Sequence, residues 1–395
     1  MLIFICLIAI IFSLAFFQKV KYSKLRASLT KTPGVSSLPA HYSYCFVLWS
    51  IITLCMVMII SGGGLFGASL SVVLVASLLL VTNQLFHKGF NSKKHIEGFG
   101  VGVLSLTAGI GILITVVITA SIMFEALRFF KYVNVFDFLF GLSWNPQVAI
   151  TKDQEIGESA FGVVPVFLGT ILIMLIAMLV AVPTGIMGAI YLCLYAKRKT
   201  RDYLKPIIEI LAGVPTVVYG YFAVITIAPF FKSVFASLGI DLASESALSA
   251  GFVMGVMIIP FVLSLTDDAL NAVPQDLKDG ALAMGSTKSE MIKKVVLPSA
   301  TPSIVGAVIL AVSRAIGETM IVVMAAGLVA NLTFNPLDAV TTATAQIVTL
   351  LTGDTEFDSP KTLAAFALAL TLFIFTFLFN IIALMVIKKY KKKYS

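Results

Sequence analysis

Apolar runs of about 20 residues, too long for strands and too uniformly apolar for exposed helices, recur nine times along the chain. They occupy residues 2–17, 44–60, 65–85, 101–123, part of 161–195, 207–231, 247–266, 303–330 and 363–387. In hydrocarbon every backbone N–H and C=O must be bonded within its own segment, so runs of this length read as membrane-crossing helices. A composition of 59% hydrophobic and 12% charged residues over 395 positions excludes a soluble domain of this size. The expected fold is an all-α polytopic membrane protein with about nine transmembrane helices.

Charge orients these spans. The first run has no basic residue before it and five in residues 19–31, the reverse of a signal peptide, so it reads as a span that starts outside. With that start, 22 of the 28 Lys and Arg fall on the cytoplasmic side, and the C-terminus is cytoplasmic. The net charge of +8 is thereby accounted for by topology and calls for no nucleic-acid partner. A boundary is expected near residues 98–101. Residues 1–100 then form a three-span N-terminal extension, and residues 101–395 a six-span core. Pro183, Pro215 and Pro260, with Gly185, Gly213 and Gly220 nearby, predict kinked helices in that core, with or without a passage between them.

Residues 274–298, PQDLKDGALAMGSTKSEMIKKVVLP, are a polar island between two apolar runs. Pro274 suits a first helical position, Leu277, Ala281 and Met284 recur on one face, and Gly285 can take the left-handed conformation that closes a helix. Thr287 and Glu290 then match a capping box that starts a second helix, with Met291, Ile292 and Val295 on its buried side and Pro298 ending it. The charge-based orientation puts this helix–turn–helix in the cytosol. It is either an ordinary amphipathic loop or a handle for a partner protein.

A second polar feature lies inside an apolar run. Arg314, Glu318 and Thr319 belong to Ser-Arg-Ala-Ile-Gly-Glu-Thr-Met, residues 313–320. A helix starting near Ser303 would carry Arg314 about 16 Å along its axis, close to the midplane of a core about 30 Å thick. A lone Arg there costs about 2.5 kcal/mol or more. Glu318, four residues on and on the same helical face, can share that cost. The pair is either a structural ion pair or an anion-binding guanidinium restrained by a carboxylate. Arg suits phosphate oxygens because its fork is planar and bidentate.

The 274–298 segment resembles the cytoplasmic coupling loop of ATP-binding-cassette importer permeases. Asp279, Gly280 and Ala281 stand for the leading triplet of that family's pattern, Gly285 for its glycine, Val295 for its aliphatic position, and Leu297-Pro298 close it. The resemblance implies that Asp279, Gly280, Ala281, Gly285, Leu297 and Pro298 dock an ATPase. Arg-Ala-Ile-Gly-Glu-Thr-Met after such a loop is similar to the membrane subunits of the bacterial phosphate importer, and Trp144-Asn145-Pro146 favours the PstC type. Further matches are Phe161-Gly-Val-Val-Pro165, Ala181-Val-Pro-Thr-Gly185 and the run from Glu209 to Gly220.

This resemblance implies a permease that moves inorganic phosphate across the inner (cytoplasmic) membrane of a bacterium by alternating access, with Arg314, Glu318 and Thr319 along the substrate path. The implied partners are a homologous PstA-like permease subunit, an ATPase dimer and an extracytoplasmic phosphate-binding protein. Permeation of another oxyanion (molybdate, sulfate, phosphonate) or ATP-independent secondary transport are the alternatives. The chain is not expected to be an enzyme or to bind a cofactor. Gly280–Thr287 reads GALAMGST, without the lysine of a nucleotide-binding loop, so ATP is used by the partner ATPase. The four cysteines and three histidines show no metal-ligand spacing, and no metal site is expected.

Overall fold

A computed structural model describes residues 92–146, 161–352 and 359–394. The first three expected spans lie outside the described residues. Packing separates the chain between Val117 and Ile118, and the residues from Ile118 onward form the second unit. Among the described residues the regular elements are all helical, with one isolated bridge between Trp144 and Phe161. The helices are α1 Ser92–Phe129, α2 Val135–Phe140, α3 Val164–Ile190, α4 Arg198–Ala212, α5 Thr216–Phe222, α6 Ala228–Ser237 and α7 Ala247–Asn271. They continue with α8 Gln275–Ala283, α9 Lys288–Met291, α10 Leu297–Ile316, α11 Met320–Ala325, α12 Ala343–Leu351 and α13 Pro360–Tyr394. Single π turns extend α3, join α5 to α6 and join α9 to α10.

Among the described residues six segments are long and apolar enough to cross a bilayer: Glu97–Phe129, Val164–Tyr195, Thr216–Ser237, Ala247–Asn271, Lys288–Ile316 and Pro360–Met385. They correspond to the fourth through ninth expected spans, but the eighth run, 303–330, is broken where α10 stops at Ile316, and two further corrections apply. The run at residues 207–231 is not one helix. Its first part belongs to α4, which ends at Gly213, and Pro215 then caps a new helix. Gly disfavours helix, and the residue before a proline is pushed out of the helical region. The Tyr219 hydroxyl bridges the break by donating to the carbonyl of Leu211, 2.9 Å away.

The second correction concerns Pro298, which does not end its helix. It sits in the first turn of α10, directly after the π turn Ile292–Val296, where the N–H of Leu297 reaches back to the carbonyl of Ile292. Proline is tolerated in a first turn because the N–H it lacks is not required there. The wider turn lets the second helix of the polar island run straight into the span.

Small residues let α3 and α7 pack closely, as membrane helices do when hydrophobic exclusion cannot drive them together. A Cβ at Gly251 would lie 2.8 Å from Ile176, and one at Gly255 2.8 Å from Val180 and 2.9 Å from the Ala177 carbonyl oxygen. Ile173, Ala177 and Ala181 of α3 form one buried cluster with Ala250, Met254 and Ile258 of α7 and Ala311 and Ala315 of α10. Beyond the N-terminal end of α3, Phe129, Phe138, Trp144 and Phe161 make edge-to-face contacts. Trp144 Nε1 donates to Gln346 Oε1 at 3.0 Å, joining that aromatic cluster to α12. At the far end of α7, a third cluster of Leu192, Leu270, Met291, Ile292 and Val296 supports the polar island.

Candidate functional site

Arg314 lies in the last turn of α10. Its guanidinium donates from Nη2 to Met257 Sδ at 3.7 Å and lies 5.7 Å from the centre of the Phe261 ring. These contacts straddle the midpoint of the 25-residue α7, about 15–20 Å from either end of a helix that spans the body. Arg314 is therefore at mid-depth, on an exposed face, and among the described residues no carboxylate pairs with it. A cation over an aromatic face and against a thioether is held loosely and keeps its donors for an anion.

Glu318 does not share a helical face with Arg314, because α10 stops at Ile316 with Gly317 as its C-cap. The expected ion pair is replaced by a cap. Glu318 is buried, and its Oε1 accepts the N–H groups of Met320 at 3.1 Å and Ile321 at 3.4 Å. The first N–H groups of α11 have no partner within that helix, and a carboxylate at a helix N-terminus is favoured. The Glu318 carbonyl also accepts from Thr344 Oγ1 at 2.7 Å, fastening the turn to α12. Thr319 is half-buried in this turn, its Oγ1 3.4 Å from the Gly317 carbonyl.

Two neighbours extend the site. Ser313 Oγ donates to Asn380 Oδ1 at 2.9 Å, a polar link between α10 and α13 next to Arg314. The single Asn in the last apolar run was the available signal for it. A Cβ at Gly220 would meet the Met324 sulfur at 2.9 Å and the Met320 carbonyl oxygen at 3.2 Å, so α5 lies directly on α11.

The polar island forms a projecting knob of α8 and α9. Gly285 has φ +85°, and Thr287 with Glu290 makes the expected capping box. Asp279, Gly280 and Gly285 are exposed and Ala281 half-buried, whereas Leu297 and Pro298 are half-buried at the foot of α10. Leu277 and Met284 do not form a buried face with Ala281; Met284 is 89% exposed and Leu277 49%. With Leu282, they give the knob an open apolar tip in a segment otherwise rich in charge. Lys288 Nζ lies 4.9 Å from the centre of the Tyr195 ring, linking the knob to the end of the second described span.

Sequence reasoning missed a buried charge at the same end. Asp267 is 1% exposed. It accepts from Arg201 Nη2 at 3.1 and 2.9 Å and from Lys205 Nζ at 2.9 Å. The hydrogen bond to Asp267 holds the Lys205 pKa above the usual lysine value, so the ammonium persists well into alkaline pH. The available signals were an Asp pair closing an apolar run and two cations four residues apart on α4.

Residues 181–392, more than half of the chain, match the family described as binding-protein-dependent transport system inner membrane component. A probable ABC transporter permease protein of Bacillus subtilis, YqgH, is 33% identical over 279 residues, covering 70% of this chain and 86% of the relative. The phosphate transport system permease protein PstC of Mesorhizobium japonicum is 32% identical over 266 residues, 63% of this chain and 77% of its own. PstC of Xylella fastidiosa is 31% identical over 306 residues, 73% and 90% respectively. Six membrane-crossing helices, a capped knob beside the second to last of them and these likenesses make the chain a member of that family, a multi-pass permease component of an ATP-binding-cassette importer.

Proposed function

We propose that this permease passes inorganic phosphate inward across the cytoplasmic membrane by alternating access. The observation that carries the reading is the Arg314 guanidinium at mid-depth, exposed and without a carboxylate partner among the described residues. An unneutralised cation in a membrane-spanning helix is expensive, and such residues mark ion pathways. Relatives named as phosphate transport system permeases support phosphate as that ion. Arg314 supplies a bidentate fork, and Glu318 and Thr319 shape the turn that lines the path beyond it.

The partners are a second, PstA-like permease subunit, an ATPase dimer and an extracytoplasmic phosphate-binding protein. ATP is bound and hydrolysed by the ATPase chains, which grip the knob from the cytosol through Asp279, Gly280, Ala281 and Gly285. The apolar tip at Leu277, Leu282 and Met284 adds to that grip. Leu297 and Pro298 carry the motion into α10, and the C-terminus is cytoplasmic. Radiolabelled phosphate uptake by the reconstituted complex tests the reading. Arg314→Ala is expected to lower uptake at least a hundredfold with normal assembly, and Arg314→Lys to recover only part of it. Undiminished uptake in Arg314→Ala overturns the role of the guanidinium. Wild-type uptake of sulfate, molybdate or a phosphonate in preference to phosphate overturns the substrate.

A further inference from the structure

The last turn of α7 gathers polar contacts from three other elements. From α4 come Arg201 and Lys205, both bonded to the buried Asp267 carboxylate. From α8 comes Lys278, itself buried, whose Nζ donates to the carbonyl of Leu270 at 3.3 Å. From the π turn after α3 comes Cys193, with Sγ 3.4 Å from Asn271 Oδ1, while Asn271 Nδ2 donates back to the Asp267 carbonyl at 2.7 Å. A carboxylate near a helix C-terminus is disfavoured by the helix dipole, and the last carbonyls of a helix lack partners within it. Both deficits of α7 are met by cations brought in from neighbouring helices.

The helix α4 depends on this arrangement. It has no buried residue, and its apolar Tyr203, Ile207, Ile210 and Leu211 are all exposed. Arg201, Lys205 and the half-buried Ile208 therefore face the protein while most of its apolar residues face away. Only Gly213, Val214 and Pro215 separate it from α5, which packs on α11 just past the Glu318 turn. The middle of α7 carries Met257 and Phe261, the residues against Arg314. One continuous helix thus touches the knob and α4 at one end and the guanidinium near its middle.

We propose that Asp267 is a positioning residue, the joint that ties the surface helix α4 to the end of α7, so that α4 moves with α7 and with the knob helix α8 that Lys278 fastens to the same turn. Displacement of the knob then reaches Arg314 along α7 and reaches the Glu318 turn through α4 and α5. The proposal rests on the importer reading above. It adds that coupling between ATP hydrolysis and transport runs through a buried ion group absent from the knob itself.

The test measures ATP hydrolysis and inorganic phosphate uptake side by side in proteoliposomes holding the full complex and its binding protein. Asp267→Asn is expected to hydrolyse ATP at the basal rate, lose at least fivefold of the stimulation by the loaded binding protein, and lower phosphate moved per ATP at least fivefold. Asp267→Glu is expected to restore most of both, since it returns the charge. Arg201→Gln leaves Lys205 on the carboxylate, so it assembles even if Asp267→Asn does not; a smaller loss of the same two ratios is expected. Unchanged ratios in the assembled variants, or hydrolysis and uptake falling together, overturn the joint. A wild-type complex stimulated by its binding protein but moving no phosphate overturns the substrate reading alone, because stimulation still reports on Asp267.

Discussion

Between α3 and α7, a methyl group at Gly251 or Gly255 would press into the neighbouring helix, whereas a methyl at Gly280 in the knob would meet nothing within 4 Å. The first region has its backbones in close apposition over a shared buried cluster. The second leaves Leu277, Leu282 and Met284 open and keeps its shape by local devices: a left-handed glycine, a capping box and one buried lysine. In lipid there is no hydrophobic gain from bringing two apolar helices together, so close packing must hold them. Outside the span, short helices hold together through satisfied end groups and leave their apolar side chains for another chain. The proposed passage and the proposed grip from one side together need both.

The sharpest way to break the comparison is to fill the close contact. Gly255→Leu places carbon atoms against the Ala177 carbonyl oxygen, which is backbone and cannot step aside. Overpacking of this kind costs about 1–3 kcal/mol even where side chains can adjust, and more where they cannot. Loss of a monodisperse, detergent-solubilised permease is the expected result, read by size-exclusion chromatography and thermal unfolding. Gly280→Ala should do the opposite, since open space surrounds it and alanine improves helix propensity by about 1 kcal/mol. Equal effects at the two glycines would erase the distinction between packed body and open knob.

The apolar runs and the capping box could be read directly from the chain because both are local. A run of about 20 apolar residues needs no partner to declare itself, and Thr287 finds Glu290 three positions away. The errors came where a distant or competing contact decided. A four-residue spacing put Arg314 and Glu318 on one face only if the helix continued; Gly317 ends it, and the carboxylate caps α11 instead. Apolar residues 207–212 merged by composition with the span after them, although Gly213 and Pro215 divide the two. The partners of Asp267 lie 66 and 62 positions away, that of Asn380 67, and that of Trp144 202, so no periodicity could have joined them.

A smaller effect is expected at the bend of the knob. Gly285 has φ +85°, a conformation that costs a side-chain-bearing residue about 1–2 kcal/mol. Gly285→Val should therefore reorient α8 against α9 and carry the exposed Met284 with it, with the buried body left as it is. The expected outcome is weakened co-purification of the ATPase at unchanged thermal stability of the membrane part. A lowered unfolding temperature with intact ATPase binding would mean that the bend supports the packed body and not the grip.

The mildest perturbation removes a single cap. Thr287 Oγ1 accepts the N–H of Glu290 at 3.3 Å, while the Glu290 carboxylate accepts both the backbone N–H of Thr287 at 3.0 Å and its hydroxyl at 2.8 Å. Thr287→Ala deletes the hydroxyl and leaves the return bond from the backbone, a loss of about 1 kcal/mol that falls on α9. Because α9 passes through the π turn into α10 without a stop, fraying at its start should raise amide exchange at residues 288–291 and fade before Leu297. Exchange rising along α10 as far as Arg314 would show that the knob and the passage share one cooperative unit. Protection unchanged from Leu297 onward would keep the buried body independent of its handle's caps.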